Sequence, residues 1–263
     1  KSCGHPRVYS AKDAAKGHRT KKSGQSEWFV GYKKHTLRLL FLTQSPIWSI
    51  PAVTIVKPAN VGDGDILLDM IPLWPSDLPA PLIVADMGYL QAERKKYLRV
   101  KYHIALITRV RSSMKPPQYF GLESDGSPTC FWGQKLKHDY FDWEKQTHLY
   151  IKPEQGLECS RCPFANACPQ EFIFSPDIHE TYLGAQPLHT RLAQQLLKFA
   201  RPIVEQSFSE DKNRFMLKSL FINSLNLAEF ASLLVDSTKL LITLAELKKT
   251  GGKQLKRASA GLL

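Results

Sequence analysis

The sequence predicts a mixed α/β fold from three observations. Residues 28–42 and 47–56 are rich in aromatic and β-branched side chains and predict two strands that pair as a hairpin through a Ser-Pro turn. The continuous apolar run Leu82–Ala85 is typical of a buried parallel strand, and residues 189–217 carry apolar side chains at helical spacing. Because strands and helices follow one another in a chain with 43% apolar residues, we expect a globular core built from both.

The remaining elements are predicted from local signals. Cap-forming Asn and Asp precede apolar residues at helical spacing over 60–74, which predicts a helix. A second helix is expected over 89–100, a strand over 103–109, and one or two further helices over 218–248.

These patterns divide the 263 residues into five segments. They are a basic arm or loop (1–27), the first part of the core (28–111), a Cys-rich insertion (112–188), C-terminal helices that complete the core (189–248) and a basic tail (249–263). Pro, Gly, Cys and aromatic residues predominate in the insertion, where only short pieces such as 148–151 suggest strands. We therefore expect something other than a large core to hold the insertion together.

The net charge of +12 makes nucleic acid the first partner to consider, since a cationic surface releases counterions from polyanions. A ribosomal-type or membrane-surface protein is the alternative. Charges at Glu229, Asp236 and Lys239 interrupt the longest apolar segment, so no membrane span is expected. No signal peptide is expected either, because the amino terminus is polar and basic, although a start at Lys1 suggests that upstream sequence is missing. We expect a cytoplasmic protein.

Asp86 is the first candidate site residue. It directly follows the apolar run Leu82–Ala85, and the carboxyl ends of parallel strands form the edge of an open sheet where ligands bind. Gly88 permits a tight turn behind it. Two-metal phosphodiester chemistry needs carboxylates that converge from separate elements, whereas an isolated Asp at a strand end more often caps a turn.

Glu205 is the second candidate. On an ideal helix Arg201, Glu205, Phe208 and Lys212 lie within roughly 60° of one another, so one face carries a carboxylate between two cations. Such a face suits an enzyme that grips a phosphate backbone beside its cut site, and it is equally common on a solvated basic helix. Pro202 is expected to start or kink the helix.

In order and spacing these motifs resemble the DDE transposases of bacterial insertion sequences. Asp86, Gly88 and Tyr89 resemble the family's Asp-x-Gly-Tyr motif after an apolar strand. Upstream, residues 31–35 (Gly-Tyr-Lys-Lys-His) and residues 58–61 with Asp63 resemble its Gly-Tyr-Lys-x-His strand and the turn into its first helix. Its downstream signature Tyr-x2-Arg-x3-Glu-x6-Lys is matched by Arg201, Glu205 and Lys212, with Lys198 where the family has Tyr.

The resemblance implies a ribonuclease H-like mixed sheet flanked by helices, with Mg²⁺ or Mn²⁺ held by Asp86 and Glu205. It implies double-stranded DNA at transposon ends and target sites as the partner, homodimers on paired ends, and a bacterial, nucleoid-associated location. The residues expected to contact DNA are Arg201, Lys212, Lys198 and Lys33.

The first catalytic Asp of the family has only one candidate here, Asp13, which apart from Glu27 is the sole acidic residue before residue 28. Its surroundings resemble the family's loop Asp before the Gly-Tyr-Lys strand more than the catalytic one. We therefore expect the first strand and its Asp to be absent from this chain.

The cysteines suggest a second kind of site. Cys159, Cys162 and Cys168 form C-x2-C-x5-C, and Cys130 supplies a fourth thiolate, which suits tetrahedral Zn²⁺. The alternatives are reduced cysteines that pack against apolar surface, and an iron–sulfur cluster. Some insertion-sequence transposases are similar in having a Cys-rich insert between the second Asp and the Glu.

Three functions compete on the sequence alone. The leading one is a transposase catalytic domain that cleaves and joins strands at transposon ends. The second is a truncated, catalytically inactive remnant that only binds DNA. The third is a zinc-stabilised repair nuclease of similar fold.

Overall fold

The computed structural model describes residues 11–20, 24–41, 48–78, 82–111, 114, 116, 121–152, 159, 161–217 and 222–250, without the side chains of residues 19, 20, 48, 201 and 250. The strands are β1 (Ala15–Thr20), β2 (Ser26–Phe41), β3 (Trp48–Pro58), β4 (Leu82–Ala85), β5 (Ala105–Thr108), β6 (Lys137–Asp142), β7 (Thr147–Ile151) and β8 (Glu171–Phe174), and the α-helices are α1 (Asp63–Met70), α2 (Ala92–Tyr102), α3 (Arg191–Asn213) and α4 (Leu225–Thr250). Short 3₁₀ turns cover Ile71–Leu73, Met87–Tyr89 and Pro176–Ile178.

The chain forms two compact units. The first unit comprises Lys1–Leu78 and Pro202–Leu263, and the second comprises Pro79–Arg201. Both mix strands and helices, so the expected α/β class is confirmed. The described strands form three separate sheets, so one mixed sheet of ribonuclease H-like type stays a prediction.

In the first unit the sheet has the order β1-β2-β3 and is antiparallel throughout. The long strand β2 pairs with β1 along its first half and with β3 along its second half, where the register shifts between Leu37 and Arg38. Its core joins β3 to α1 through Val53, Ile55, Ile66 and Met70. Helix α4 packs against β3 and β2.

The second unit contains two sheets. Strands β4 and β5 are parallel, with Leu82 opposite Ala105 and Ala85 opposite Thr108. Strands β6, β7 and β8 form an antiparallel sheet whose central strand buries His148 and Tyr150 completely. Helix α3 begins beside β5, where its Ala193 and Leu196 pack on Ile107 and Leu188.

Most predicted elements are present with shifted ends. The hairpin partners are confirmed as β2 and β3, while the Ser-Pro turn lies outside the described residues. The helix expected over 60–74 is shorter, because the α-helix ends at Met70 and a 3₁₀ turn that contains Pro72 follows over Ile71–Leu73. The strand expected from residue 103 begins at Ala105, because His103 ends α2 in the left-handed conformation with φ 54°.

Three expectations differ from the structure. Residues 15–20 form strand β1, whereas a loop was expected over 1–27, since polar residues can join a sheet when a neighbouring strand supplies the pairing. The insertion contains the β6–β8 sheet. A single helix, α4, extends to Thr250, beyond the expected start of the basic tail, whose residues 251–263 lie outside the described ranges.

None of the helices formed by the described residues combines the length and apolar character that a membrane span requires.

Candidate functional site

Asp86 lies at the carboxyl end of β4, where the sequence predicts it. Its side chain is exposed, and its Oδ1 accepts a hydrogen bond from the backbone N–H of Met87 at 2.8 Å. That bond caps the 3₁₀ turn Met87–Tyr89, so the carboxylate has a structural role as well as an exposed position. The strand end that carries Asp86 pairs in parallel with β5, and ligands of open sheets bind at such strand ends.

Helix α2, which follows this turn, is held by a buried ion pair. The guanidinium of Arg99 binds both carboxylate oxygens of Glu180, at 3.2 and 2.6 Å, and donates a further bond to Gln146 at 2.6 Å. The side chains of Arg99 and Glu180 are only 3% and 7% exposed. Because an ion pair of this burial with several hydrogen bonds tolerates little displacement, it fixes the helix that leads away from Asp86.

Glu205 lies in the middle of α3, which runs unbroken through Pro202. Lys198, Glu205 and Lys212 are all exposed, and their spacing of seven residues places them within about 40° of one another around the helix. The carboxylate of Glu205 therefore lies between two exposed lysines on α3, whereas the predicted face that includes Arg201 stays a prediction. The side chain of Arg201 falls outside the described residues.

The opposite side of α3 is anchored by a buried ionic network. Lys34 on β2 donates to Asp211 of α3 at 2.9 Å and to Asp236 of α4 at 2.8 Å. Lys239 of α4 donates to Asp211 and, at 3.0 Å, to the hydroxyl of Ser207. Ser207 and Asp211 lie about 120° to 160° around the helix from Glu205, so the network keeps the Glu205 face turned outward.

The charges of this network compensate one another. Burial alone raises the pKa of Asp211, but hydrogen bonds from Lys239 and Lys34 outweigh it and hold that pKa below its ordinary value. The hydroxyl of Thr54 on β3 donates a hydrogen bond to the carboxylate oxygen of Asp236 that Lys34 does not contact, at 2.6 Å. Both carboxylates therefore accept hydrogen bonds from donors of the first unit.

Sequence reasoning did not identify this network. Asp236 and Lys239 were weighed only as interruptions of an apolar segment, and Lys34 only as part of the Gly-Tyr-Lys-Lys-His motif. A usable signal exists in the sequence, because charged residues such as Asp236 and Lys239 within a mainly apolar stretch of a helix need partners when the helix packs against a sheet.

Asp13, the candidate for the first catalytic Asp, has both carboxylate oxygens engaged. It accepts a hydrogen bond from the hydroxyl of Tyr32 and another from the backbone N–H of Leu225, the first residue of α4. These bonds, that of Tyr32 first, hold the pKa of Asp13 below its ordinary value. A carboxylate at a helix N-terminus stabilises the helix, so this geometry favours a structural role for Asp13.

Lys33, expected to contact DNA, is half-buried and is tied to the start of α1. Its ammonium lies 3.2 Å from the carboxylate of Asp63 and 3.5 Å from the carbonyl oxygen of Val61. Lys198 and Lys212 are better placed for phosphate contacts, because both are exposed.

The four cysteines of the insertion line one small cavity, with space of about 20 Å³. Cys130, Cys159, Cys162 and Cys168 share it with Trp132, Lys152 and Phe172, among others. All four are free thiols, and the Sγ of Cys162 accepts a hydrogen bond from the backbone N–H of Phe164 at 3.4 Å. The predicted grouping of distant Cys130 with the C-x2-C-x5-C segment is therefore present.

Grouping alone does not make a metal centre. Within the described ranges, no set of three or more His, Cys, Asp or Glu side chains is arranged so that it could hold a metal ion. Metal binding by Asp86, by Glu205 or by the cysteines accordingly stays a prediction.

A histidine cluster in the second unit has no counterpart in the sequence analysis. The Nε2–H of His148 donates to the carbonyl of Gly184 at 2.6 Å, so its Nδ1 accepts from Nε2 of His138 at 3.0 Å. Burial lowers the pKa of His148 to about 3 and that of His138 to about 4. His138 also faces an open cleft beside Tyr140 and Trp143. No sequence signal marks these histidines, because their ten-residue separation has no helical or metal-ligand spacing.

Comparisons with protein-family models, with curated proteins and with solved structures gave no significant match to this chain.

Proposed function

We propose that the chain is the catalytic domain of a DDE-type transposase with a ribonuclease H-like core, which cleaves and joins DNA strands at transposon ends. One observation carries the proposal. An exposed Asp86 stands at the carboxyl end of a strand in a parallel pair, directly before the tight turn of a motif that resembles the family's. Ligands of open α/β sheets bind at such strand ends.

The second carboxylate of the proposal is Glu205. It is exposed on α3 between Lys198 and Lys212, and the ionic network on the far side of the helix holds that face outward. In the proposed reaction Asp86 and Glu205 bind Mg²⁺ or Mn²⁺, which would activate the attacking oxygen and stabilise the leaving one. Lys198, Lys212 and Arg201 bind the phosphates that flank the cut, in line with a net charge of +12.

The test is nicking of supercoiled DNA that carries the terminal repeats, in Mg²⁺ and in Mn²⁺. Asp86→Asn and Glu205→Gln should each lower the nicking rate at least about 100-fold, because each removes a charged metal ligand. Glu93→Gln is the matched control, since Glu93 is an exposed helical carboxylate in the first turn of α2. Unchanged nicking in both site variants would overturn the assignment.

The second candidate function is DNA binding without cleavage. It is favoured by the engagement of Asp13, whose carboxylate oxygens accept bonds from Tyr32 and from the first turn of α4. A chain that lacks a third carboxylate would bind DNA with a strong salt dependence and would not nick it in either metal. Binding that persists in Asp86→Asn, with no nicking by the unaltered chain, identifies this function.

We also propose that the cavity lined by the four cysteines takes Zn²⁺. The donor set is of the right type, since four thiolates suit tetrahedral zinc, and the sulfur of Cys162 also accepts a backbone N–H hydrogen bond. Lys152 in the same lining offsets part of the negative charge. A small closed site in a segment with a modest core fits a structural role.

Zinc content of the purified full chain tests this. We expect one Zn²⁺ per chain, lost in Cys162→Ser and retained in Cys3→Ser, whose cysteine lies outside the insertion. A thiol reagent should modify one cysteine quickly and the other four only after a chelator has removed the Zn²⁺. A metal-free chain with five equally reactive thiols would contradict the proposal.

A further inference from the structure

An open cleft in the second unit has a volume of about 440 Å³, which is within the range of small-molecule sites. Its lining includes Leu82 and Ala105, which pair at the amino ends of β4 and β5, and residues 138–141 of β6. Asp86 follows the opposite, carboxyl end of β4. The residues that line the cleft all belong to the second unit, and the cleft is separate from the candidate metal site.

A β-bulge brings consecutive side chains of β6 to this cleft. The register of β6 against β7 shifts between His138 and Tyr140, so Asp139 is an extra residue in the ladder. In a regular strand neighbouring side chains alternate between the two faces, whereas residues 138–141 all line the cleft. The bulge thus adds the exposed carboxylate of Asp139 to the lining.

His138 presents a hydrogen-bond acceptor. The carbonyl oxygen of Gly184 only accepts, so Nε2 of His148 donates to it at 2.6 Å and Nδ1 of His148 accepts from Nε2 of His138 at 3.0 Å. Burial lowers the pKa of His138 to about 4, so at neutral pH its Nδ1 carries a lone pair. Among the described residues this nitrogen has no hydrogen-bond partner.

Gln186 presents a second acceptor. The hydroxyl of Thr190 donates to the carbonyl oxygen of Pro187 at 2.7 Å, so it accepts from the side-chain Nε2 of Gln186, also at 2.7 Å. This orientation leaves Oε1 of Gln186 without a partner in the part of the chain that the structure describes. Two backbone carbonyls, those of Gly184 and Pro187, thus each fix one acceptor in a residue that lines the cleft.

The charge of the cleft is opposite to that of the whole chain, which carries +12. Asp139 forms no ion pair within the described ranges, and the described residues of the lining include no Lys or Arg. Tyr140, Phe141 and Trp143 supply aromatic rings, and Trp143 is held by stacking on His103 at 5.6 Å. Acceptors beside aromatic rings favour a cation that carries N–H groups.

We propose that this cleft binds a small planar organic cation, an amidinium or a guanidinium, whose N–H groups donate to Asp139, His138 and Gln186. Such a group offers several donors in one plane, which suits acceptors of fixed direction. A bare metal ion fits less well, since no three His, Cys, Asp or Glu side chains of the described residues are arranged to hold one. The inference does not depend on the catalytic proposal, because Asp86 and Glu205 lie outside the lining.

An anion is the main alternative occupant. The amino end of α3 reaches the cleft through Thr190 and Leu192, and a helix amino end attracts anions. The hydroxyl of Thr190 already accepts from the backbone N–H of Ala193 at 3.3 Å, however, and the carboxylate of Asp139 repels an anion. The charge of the ligand therefore decides between the two occupants.

Three aromatic compounds of nearly equal shape separate these occupants. In calorimetry of the full chain at neutral pH, benzamidine, a cation, should bind with a Kd of about 0.1 mM, an ordinary value for a ligand of this size. Benzamide, which is neutral, should bind at least about 10-fold more weakly, and benzoate should not bind. Methyl spectra locate the site, because signals of Leu82 and Leu192 should shift with benzamidine and that of Ile66, buried in the first unit, should not.

Asp139→Asn tests the charge. The residue is exposed in the bulge, so the fold should persist, as circular dichroism would verify. The variant should bind benzamidine at least about 10-fold more weakly and benzamide within ~2-fold of the unaltered chain, because only the cation loses a charge-assisted bond. Glu171→Gln is the matched control, since it removes an exposed carboxylate of β8 outside the lining and should change neither constant.

Four results would overturn the proposal. One is the absence of benzamidine binding at ~5 mM. Another is binding of benzoate or benzamide as tight as that of benzamidine, which assigns the cleft to an anion or to a neutral ligand. The third is benzamidine binding of full strength in Asp139→Asn. The fourth is benzamidine binding that leaves the signals of Leu82 and Leu192 in place, which locates it outside the cleft.

Discussion

The two units bury charge in different ways. The first unit pairs two lysines with two aspartates, Lys34, Lys239, Asp211 and Asp236, in a network that spans β2, α3 and α4. Among its described residues the second unit buries the pair Arg99 with Glu180 and the side chain of Lys95, whose ammonium donates to a backbone carbonyl, and it also buries imidazoles. Burial lowers the pKa of four histidines there: His138, His148, His179 and His189.

The stability of each unit therefore depends on a different ionisation state of its buried side chains. The first unit depends on the ionised carboxylate of Asp211, whose pKa the hydrogen bonds from Lys239 and Lys34 hold below its ordinary value. The second unit depends on histidines that stay neutral, and these gain protons in mild acid once the chain unfolds. The two units therefore differ in how their stability responds to acid, although both mix strands and helices.

The largest expected effect comes from breaking the network of the first unit. Asp211→Ala leaves Lys34 and Lys239 without their shared carboxylate, and should lower the free energy of unfolding by about 3–5 kcal/mol. Urea denaturation measures the loss. Asp69→Ala, which removes a surface ion pair with Lys57, should cost under ~1 kcal/mol. Equal losses in the two variants would show that the network contributes no more than a surface pair.

Mild acid should separate the units. The pKa of His148 and of His138 is lowered to about 3 and about 4 by burial, below the unfolded value of 6.5. Their contribution is fully present above pH 6.5 and is lost as the pH falls toward those values, by on the order of 3 kcal/mol for each histidine at pH 4. The first unit has the buried His35, whose pKa is also lowered, and should lose less.

Hydrogen exchange, measured on peptides from each unit, reports the loss of stability of each unit separately. Between pH 6.5 and 4, after correction for intrinsic exchange rates, protection should fall first in β6–β8 and only later in β2 and β3. Simultaneous loss in both units would contradict the assignment of acid sensitivity to the histidines.

The smallest effect tests close packing in the second unit. Gly184 has φ +47°, and a Cβ there would lie 2.2 Å from Cε of the buried Lys95, whose ammonium donates to the carbonyl of Thr181 at 2.9 Å. Gly184→Ala should cost about 2–3 kcal/mol. Gly133→Ala, with φ +76° and open space, should cost about 1 kcal/mol of backbone strain alone. Thermal unfolding compares them, and equal shifts in melting temperature would rule out the clash.

Structural elements that depend on a local pattern of residues could be predicted from the sequence. Strand β4 with Asp86 at its end, the β2–β3 hairpin and the face of Glu205 follow from hydrophobic runs and helical spacing. The β6–β8 sheet was not predicted in full, because β6 is largely polar and β8 has only four residues. Lys34 and Asp236 are 202 residues apart, so only the folded chain brings them together.

The central proposal is that Asp86 and Glu205 are both ligands of divalent metal. Iron-mediated cleavage of the polypeptide tests it without reference to activity, because Fe²⁺ at a Mg²⁺ site generates radicals that cut the nearby backbone. We predict cuts close to residue 86 and close to residue 205, suppressed by excess Mg²⁺ and lost near residue 86 in Asp86→Asn and near residue 205 in Glu205→Gln. The absence of cuts near either residue, or cuts near each residue that persist in its own variant, would contradict the proposal.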